Sequence, residues 1–271
     1  MNEPARWLVV VALAAVAAAC ATTPANDGAA ARTGFVFDVL ELGGRSYPYA
    51  LYVPRGYDGT RAWPLILFLH GMGECGRDGS RQLSVGLGPE LLARPERWPF
   101  LVLFPQKPGE EEEWEQHEAA LLAMLDEVAS RYQVDPSRVL LTGLSQGGHG
   151  TWVLGARHPE KWAALVPVCG YGAAPQHPPV GGGLPPPFRG SASELAPALA
   201  RLPIWAFHGE VDDVVPLAAT LELVAATQRA GGSPTVTIVP GAGHNSWDAA
   251  YRNPQLAEWM LQQIRGGEAG R

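Results

Sequence analysis

The chain has 271 residues, a net charge of -7, 46% hydrophobic residues and 17% charged residues. These values exclude a largely disordered polyelectrolyte and allow a sizeable hydrophobic core. The acidic balance, with no basic cluster, also argues against nucleic-acid binding.

The first predicted feature is a targeting segment. An apolar run extends from Trp7 to Ala19 and ends in Ala17-Ala18-Ala19-Cys20. It is shorter than the roughly 20 residues of a membrane-spanning helix but has the length of a signal-peptide core. Its end resembles a bacterial lipobox. We therefore expect residues 1–20 to be a lipoprotein signal peptide with Cys20 as the lipidated residue.

The lipobox resemblance implies an exported protein anchored by lipid in the bacterial cell envelope. Ala21 is not the aspartate associated with inner-membrane retention, so the outer membrane is favoured. Residues 21–33 are small and polar, which predicts a flexible tether. An ordinary secretory signal and an uncleaved anchor remain as alternatives.

The rest of the chain alternates short apolar runs with segments of helical periodicity. Predicted strands are Phe35–Leu42, Arg45–Pro54, Pro64–Gly71, Phe100–Phe104, Val139–Leu144, Trp162–Cys169, Pro203–His208 and Thr235–Pro240. Predicted helices are 114–132, Gln146–His158, Pro216–Ala230 and Trp247–Ile264. This alternation predicts an α/β fold with a mainly parallel sheet of about eight strands and helices on both faces.

Two segments stand out from this alternation. Residues 171–192 are rich in proline and glycine and lack periodicity, which predicts a long loop or lid. Glu110–Glu113 and Glu115 crowd the start of the 114–132 helix, where the helix dipole favours acidic residues. We interpret these glutamates as a solvated helix start in preference to a metal site.

The sequence Gly143-Leu144-Ser145-Gln146-Gly147 fits the pattern G-x-S-x-G between a predicted strand and a predicted helix. Glycines allow the tight turn and close helix packing that leave the serine exposed. We predict that Ser145 is a nucleophile, the alternative being a serine that only caps the helix.

A serine nucleophile needs a base and an orienting acid, which follow it in the chain in this topology. Asp212 and His244 come after the last two predicted strands, in that order. Ligands bind at the carboxyl ends of strands in open α/β sheets, which is where these residues are predicted to lie.

Four segments in this order resemble the α/β-hydrolases: LFLHGMGECGRDG, TGLSQGG, AFHGEVDDVVP and GAGHNSWDAAY. The chain is similar to exported esterases of the polyhydroxybutyrate-depolymerase-like and predicted-peptidase-like (dienelactone-hydrolase-related) type. The resemblance covers residues 34–265 and leaves 266–271 as a tail. It implies the α/β-hydrolase fold and a serine hydrolase, with no cofactor required.

The resemblance also implies roles for single residues. Ser145 is the nucleophile, His244 the base and Asp212 the acid, with Asp213 as a rival to Asp212. The backbone amides of Met72 and Gln146 form the oxyanion hole.

His70 and His208 are expected to shape strand–loop turns, and a metal site that includes them is disfavoured because their spacing does not fit one. Candidates for the substrate pocket are Glu74, Trp247 and Tyr171, with Phe188 as a further aromatic residue of the long loop. Glu74, Arg77 and Asp78 are favoured as bridges between loops.

These expectations predict a carboxylesterase-type enzyme acting on a small-molecule or polymeric ester, with small or medium acyl groups favoured. A serine peptidase and a polymer- or sugar-ester esterase are the alternatives, and an inactive binding lipoprotein is a remote one. Cys75 and Cys169 are expected to be free or buried thiols rather than a disulfide. The sequence carries no signal for the natural substrate or the oligomeric state.

Overall fold

The computed structural model describes residues 33–172 and 191–266, in which eight strands form one sheet. The strands are β1 Gly34–Leu42, β2 Arg45–Val53, β3 Trp63–Leu69, β4 Leu101–Pro105, β5 Val134–Leu144, β6 Ala164–Val168, β7 Trp205–Gly209 and β8 Thr235–Val239. Their order in the sheet is β1-β2-β4-β3-β5-β6-β7-β8. The β1–β2 and β2–β4 pairs are antiparallel, and the other pairs are parallel. The prediction of a mainly parallel sheet of about eight strands is confirmed.

The apolar runs become the centre of the sheet. Every residue of β4 is buried, as is nearly every residue of β3, because both sheet faces are covered. The predicted hairpin at the start of the domain is also present. Gly43 and Gly44 connect its strands with φ values of 59° and 75°, which favour glycine in a two-residue turn.

Seven α-helices are described, α1 Leu87–Ala93, α2 Glu118–Arg131, α3 Gln146–Arg157, α4 Ala192–Leu199, α5 Leu217–Arg229, α6 Trp247–Arg252 and α7 Pro254–Gln262. They pack with the sheet around two clusters of buried apolar residues. Helices α1 and α4 were not predicted. The sequence did contain a start signal for α4, a capping box in which Ser191 and Glu194 bind each other's backbone amides.

Two predicted helices differ from those observed. The 114–132 segment begins as a 3₁₀ turn at Trp114–His117 before α2. The expected helix Trp247–Ile264 is two helices, because Pro254 has no backbone N–H to continue α6 and disfavours helical backbone at Asn253. The Asn253 side chain accepts from the Gln255 amide at 2.9 Å and starts α7.

The expected signal peptide with its lipidated Cys20, nearly all of the tether, and the tail beyond Gly266 lie outside the described residues. So does most of the predicted loop, residues 173–190, together with Phe188. Within the described ranges, no helix is both long enough and apolar enough to cross a membrane. Cys75 and Cys169 are buried, free thiols, as expected.

Candidate active site

The turn between β5 and α3 exposes Ser145. This residue has φ 54° and ψ -117°, a conformation that non-glycine residues rarely adopt. Its amide donates to the carbonyl of Val168 at 2.9 Å, and its carbonyl accepts from the amide of His149 at 3.0 Å. These bonds hold the strained turn, which lies where the G-x-S-x-G pattern predicted it.

The glycines of the pattern are required by close backbone contacts. A Cβ atom on Gly147 would lie 1.9 Å from the carbonyl oxygen of Leu69. A Cβ atom on Gly143 would lie 2.3 Å from the carbonyl oxygen of Gly147. Helix α3 can therefore approach strands β3 and β5 only because these positions carry no side chain.

The structure brings together Ser145, His244 and Asp212 from three separate loops. The Oγ atom of Ser145 is 2.9 Å from Nε2 of His244. The Nδ1 atom of His244 is 2.8 Å from Oδ2 of Asp212. A carboxylate only accepts, so Nδ1 carries the proton and Nε2 accepts from the serine hydroxyl. This is the relay of nucleophile, base and acid required for acyl transfer.

Asp212 is buried, whereas its predicted rival Asp213 is exposed. Its Oδ1 atom accepts from the amides of Val214 at 3.0 Å and Val215 at 2.9 Å. Burial disfavours the carboxylate, but hydrogen bonds from His208, His244 and the backbone hold the pKa of Asp212 well below its usual range. The acid therefore stays ionised and can stabilise a protonated His244.

His208 supports the loop that carries this acid. Its Nε2 atom lies 2.8 Å from the carbonyl of Val215 and 3.3 Å from Oδ2 of Asp212. Its Nδ1 atom lies 2.8 Å from the hydroxyl oxygen of Thr220 on α5. The ring is fully buried and both of its nitrogens bond to this loop or to α5, which matches the turn-shaping role that we expected.

His70 orients the loop that follows β3. Its Nε2 atom accepts from the amide of Lys107 at 3.1 Å, so its Nδ1 atom carries the proton and donates to the carbonyl of Gly71 at 2.6 Å. Burial lowers the pKa of His70 to about 3, so the ring is neutral near pH 7. In a trans peptide the C=O and N–H bonds point in opposite directions. The amide of Met72 therefore points away from His70.

The two predicted oxyanion-hole amides are available beside Ser145. A Cβ atom on Gly71 would lie 3.5 Å from Cβ of Ser145, so this loop passes next to the nucleophile. Among residues 33–172 and 191–266, the backbone N–H groups of Met72 and Gln146 have no hydrogen-bond acceptor. Gln146 is also the first residue of α3, where the helix dipole favours negative charge.

The predicted pocket residues occupy three different settings. Glu74 accepts from the amide of Gly71 at 3.0 Å, so it braces the loop as a bridging residue. Trp247 is partly buried and stands edge-on to His244, with ring centroids 5.5 Å apart. Tyr171 does not offer a free hydroxyl to a ligand. The side chain is buried, and its hydroxyl already donates to Oε1 of Glu113 at 2.8 Å.

The interpretation of the glutamates as a solvated helix start is wrong for Glu113 and Glu115. Both are buried, with relative exposures of 1% and 5%. Glu115 Oε1 is 3.1 Å from Nε2 of His149, and the His149 ring stacks on Tyr171 with centroids 4.5 Å apart. Local periodicity missed this cluster because its partners come from distant parts of the chain.

No family model matches the chain. The poly(3-hydroxyalkanoate) depolymerase C of Paucimonas lemoignei is 27% identical over 133 residues, which are 44% of this chain and 30% of the depolymerase. A solved thermostable esterase has 30% identity and a TM-score of 0.73, covering 85% of this chain and 63% of the esterase. The chain thus spans less than two thirds of either protein.

A solved S-formylglutathione hydrolase from Agrobacterium tumefaciens has 15% identity and a TM-score of 0.63. The match covers 85% of this chain and 94% of that hydrolase, and at this identity it supports the fold alone. The sheet order, the strained serine turn and these similarities show that the chain has the α/β-hydrolase fold, as its four motifs implied.

Proposed function

We propose that the chain is a serine hydrolase that cleaves carboxylic esters through an acyl-enzyme intermediate. The observation that carries this proposal is the hydrogen-bonded series Ser145–His244–Asp212 beside two free backbone amides. The similarity to a poly(3-hydroxyalkanoate) depolymerase and to a thermostable esterase supports the same chemistry.

In the first half of the reaction, Ser145 Oγ attacks the ester carbonyl carbon while His244 Nε2 takes its proton. The amides of Met72 and Gln146 bind the negative oxygen that forms. Loss of one such donor typically lowers kcat by about 10²–10³-fold. His244 then gives its proton to the alcohol as the carbon–oxygen bond breaks. Asp212 stabilises the imidazolium throughout this step.

In the second half, His244 removes a proton from water, which attacks the acyl group on Ser145. The same two amides hold the second oxyanion, and collapse of that intermediate releases the acid and restores the serine. His70 contributes to both halves by directing the Met72 amide, although it touches no reacting atom.

The test is hydrolysis of p-nitrophenyl esters from acetate to palmitate by the full chain in detergent micelles. We expect turnover that disappears in Ser145→Ala. Asp212→Asn should lose about 10⁴-fold in kcat, as the loss of the acid does in serine proteases. Asp213→Asn is its matched control and should retain wild-type activity, because its side chain is exposed.

Loss of activity in Asp213→Asn with full activity in Asp212→Asn would contradict the assignment of the acid. Absence of ester turnover by folded protein, together with cleavage of dipeptide anilides, would support the peptidase alternative. The chain-length profile measures the acyl pocket and tests our expectation of small or medium acyl groups.

We also propose that residues 1–20 direct export and that Cys20 carries the lipid, which would anchor the enzyme in the bacterial cell envelope, preferentially in the outer membrane. The apolar run before Ala17-Ala18-Ala19-Cys20 supports this proposal. Metabolic labelling with a radioactive fatty acid should mark the wild-type protein and the Cys75→Ala control but not Cys20→Ala. Labelling of Cys20→Ala, or unlabelled wild type in the soluble fraction, would refute it.

A further inference from the structure

A buried group of carboxylates and imidazole lies behind the serine turn. The acid–imidazole cluster consists of Glu113, Glu115 and His149, and Tyr171 packs against it. One ligand atom from each of the three lies within 4.8 Å of the others, and all three side chains are buried. The serine hydrolase mechanism uses none of them.

Two oxygen atoms of the cluster have unused hydrogen-bonding capacity. Glu113 Oε1 accepts from the Tyr171 hydroxyl, and Glu115 Oε1 accepts from His149 Nε2. The Oε2 atoms of both glutamates are buried and have no hydrogen-bond partner among the described residues. Buried polar atoms are nearly always satisfied, and buried carboxylates need a compensating charge. These two oxygens are therefore available to bind a further positively charged partner.

The imidazole is oriented as a metal ligand. His149 Nδ1 lies 2.9 Å from the carbonyl oxygen of Tyr171, which only accepts, so Nδ1 carries a proton. Its Nε2 atom lies 3.1 Å from the Glu115 carboxylate, which also only accepts, so a bound metal ion would take the place of the proton on Nε2. Histidine ligands of metals commonly donate their second N–H to a carbonyl in this manner.

We propose that the acid–imidazole cluster binds a structural divalent metal ion of the Zn²⁺ type. Two carboxylates and a neutral imidazole balance a charge of +2, which leaves a neutral buried site. Zinc accepts mixed nitrogen and carboxylate ligands, whereas Ca²⁺ and Mg²⁺ prefer oxygen ligands alone. The second oxygens of Glu113 and Glu115 are free to complete the coordination.

Such an ion would join the 3₁₀ turn Trp114–His117 to the first turn of α3. The amide of His149 donates to the carbonyl of Ser145 at 3.0 Å, so the metal would brace the serine turn from behind. The Ser145 hydroxyl bonds to His244 and to no residue of the cluster, so binding of the ion does not require the nucleophile itself. Ser145→Ala should bind the ion as the wild type does.

The experiment treats the full chain in detergent with a chelator, restores it with Zn²⁺ or Co²⁺, removes excess ion, and measures bound metal by mass spectrometry. We expect about one equivalent in the wild type and at least a tenfold loss of bound metal at the same free Zn²⁺ in Glu113→Gln. Glu118→Gln is the matched control, because Glu118 pairs with Arg157 and His158 at a more exposed position. It should keep the full equivalent. Zn²⁺ should also raise the melting temperature of the wild type and of Ser145→Ala.

Cobalt distinguishes this site from the other candidate group, Cys169, Asp212 and His244, whose ligand atoms also lie within 4.8 Å. The proposed site contains no sulfur, so Co²⁺ should show visible d–d bands without a thiolate charge-transfer band. This wild-type spectrum decides the question even if Glu113→Gln fails to fold. No bound metal, a full equivalent in folded Glu113→Gln, or a thiolate band would overturn the proposal. Metal content and spectrum do not depend on ester turnover, so failure of the proposed function would be recognised separately.

Discussion

Replacing His70 tests whether this buried ring orients the oxyanion hole. An asparagine amide nitrogen can take the place of Nδ1 and keep the donation to Gly71. A glutamine side-chain oxygen can take the place of Nε2 and keep the bond from the Lys107 amide. His70→Asn and His70→Gln therefore each preserve one of the two observed bonds, at 2.6 and 3.1 Å respectively.

The two variants should lose similar stability but different amounts of activity. Each leaves one buried backbone group without its partner, which costs about 1–3 kcal/mol of unfolding free energy. Only His70→Gln removes the hydrogen bond to the Gly71 carbonyl. The peptide between Gly71 and Met72 can then rotate, and the Met72 amide is no longer held towards the oxyanion. Complete loss of one oxyanion donor costs about 10²–10³-fold, and a misdirected amide should cost about 10–10²-fold in kcat/KM. His70→Asn should stay within about threefold of wild type on the same scale.

The assay is p-nitrophenyl acetate hydrolysis, with urea unfolding of both variants to verify matched stability. A donor that acts on the transition state should lower kcat and kcat/KM together and leave KM nearly unchanged. Because burial lowers the pKa of His70 to about 3, the ring stays neutral in the wild type, and the activity of each variant relative to wild type should not change between pH 6 and 8. Equal activities of the two variants, or a wild-type rate in His70→Gln, would refute the orienting role.

Two further predictions concern stability. The folded-state pKa of Asp212 is lower than in the unfolded chain, so its charge stabilises the fold above about pH 4 and this contribution is lost as the pH falls. Urea unfolding should show that Asp212→Asn is less stable than wild type at pH 7 and that the gap narrows towards pH 3; a gap that widens in acid would contradict the pKa shift. Gly147→Ala should lose more than about 3 kcal/mol or fail to fold, because its Cβ would lie 1.9 Å from the Leu69 carbonyl. Gly73→Ala, which has nothing within 4 Å, should unfold like wild type; equal stability of the two alanine variants would disprove the packing argument.

Much of the catalytic arrangement was predictable because its signals are local. The apolar run of β3 and the G-x-S-x-G turn each act within a few residues, and parallel strands bring their carboxyl ends to one edge of the sheet. Because Ser145, Asp212 and His244 each follow a strand of the parallel part of the sheet, the sequence was enough to predict that they lie at the same edge. The end of α6 before Pro254 was also predictable from the local sequence, but the apolar pattern of Trp247–Ile264 favoured one continuous helix.

The chain order of the motifs, the serine turn and two of the relay residues, Ser145 and His244, were predictable from the sequence. Packing between distant segments placed Asp212 rather than Asp213 against His244, bound the Tyr171 hydroxyl to Glu113, and buried Glu113 and Glu115. The physical reason is that burial of a charged side chain depends on partners distant in the chain. His149 contacts Glu115 only when α3 packs against the 3₁₀ turn. This contact cannot be predicted from the local periodicity of either segment.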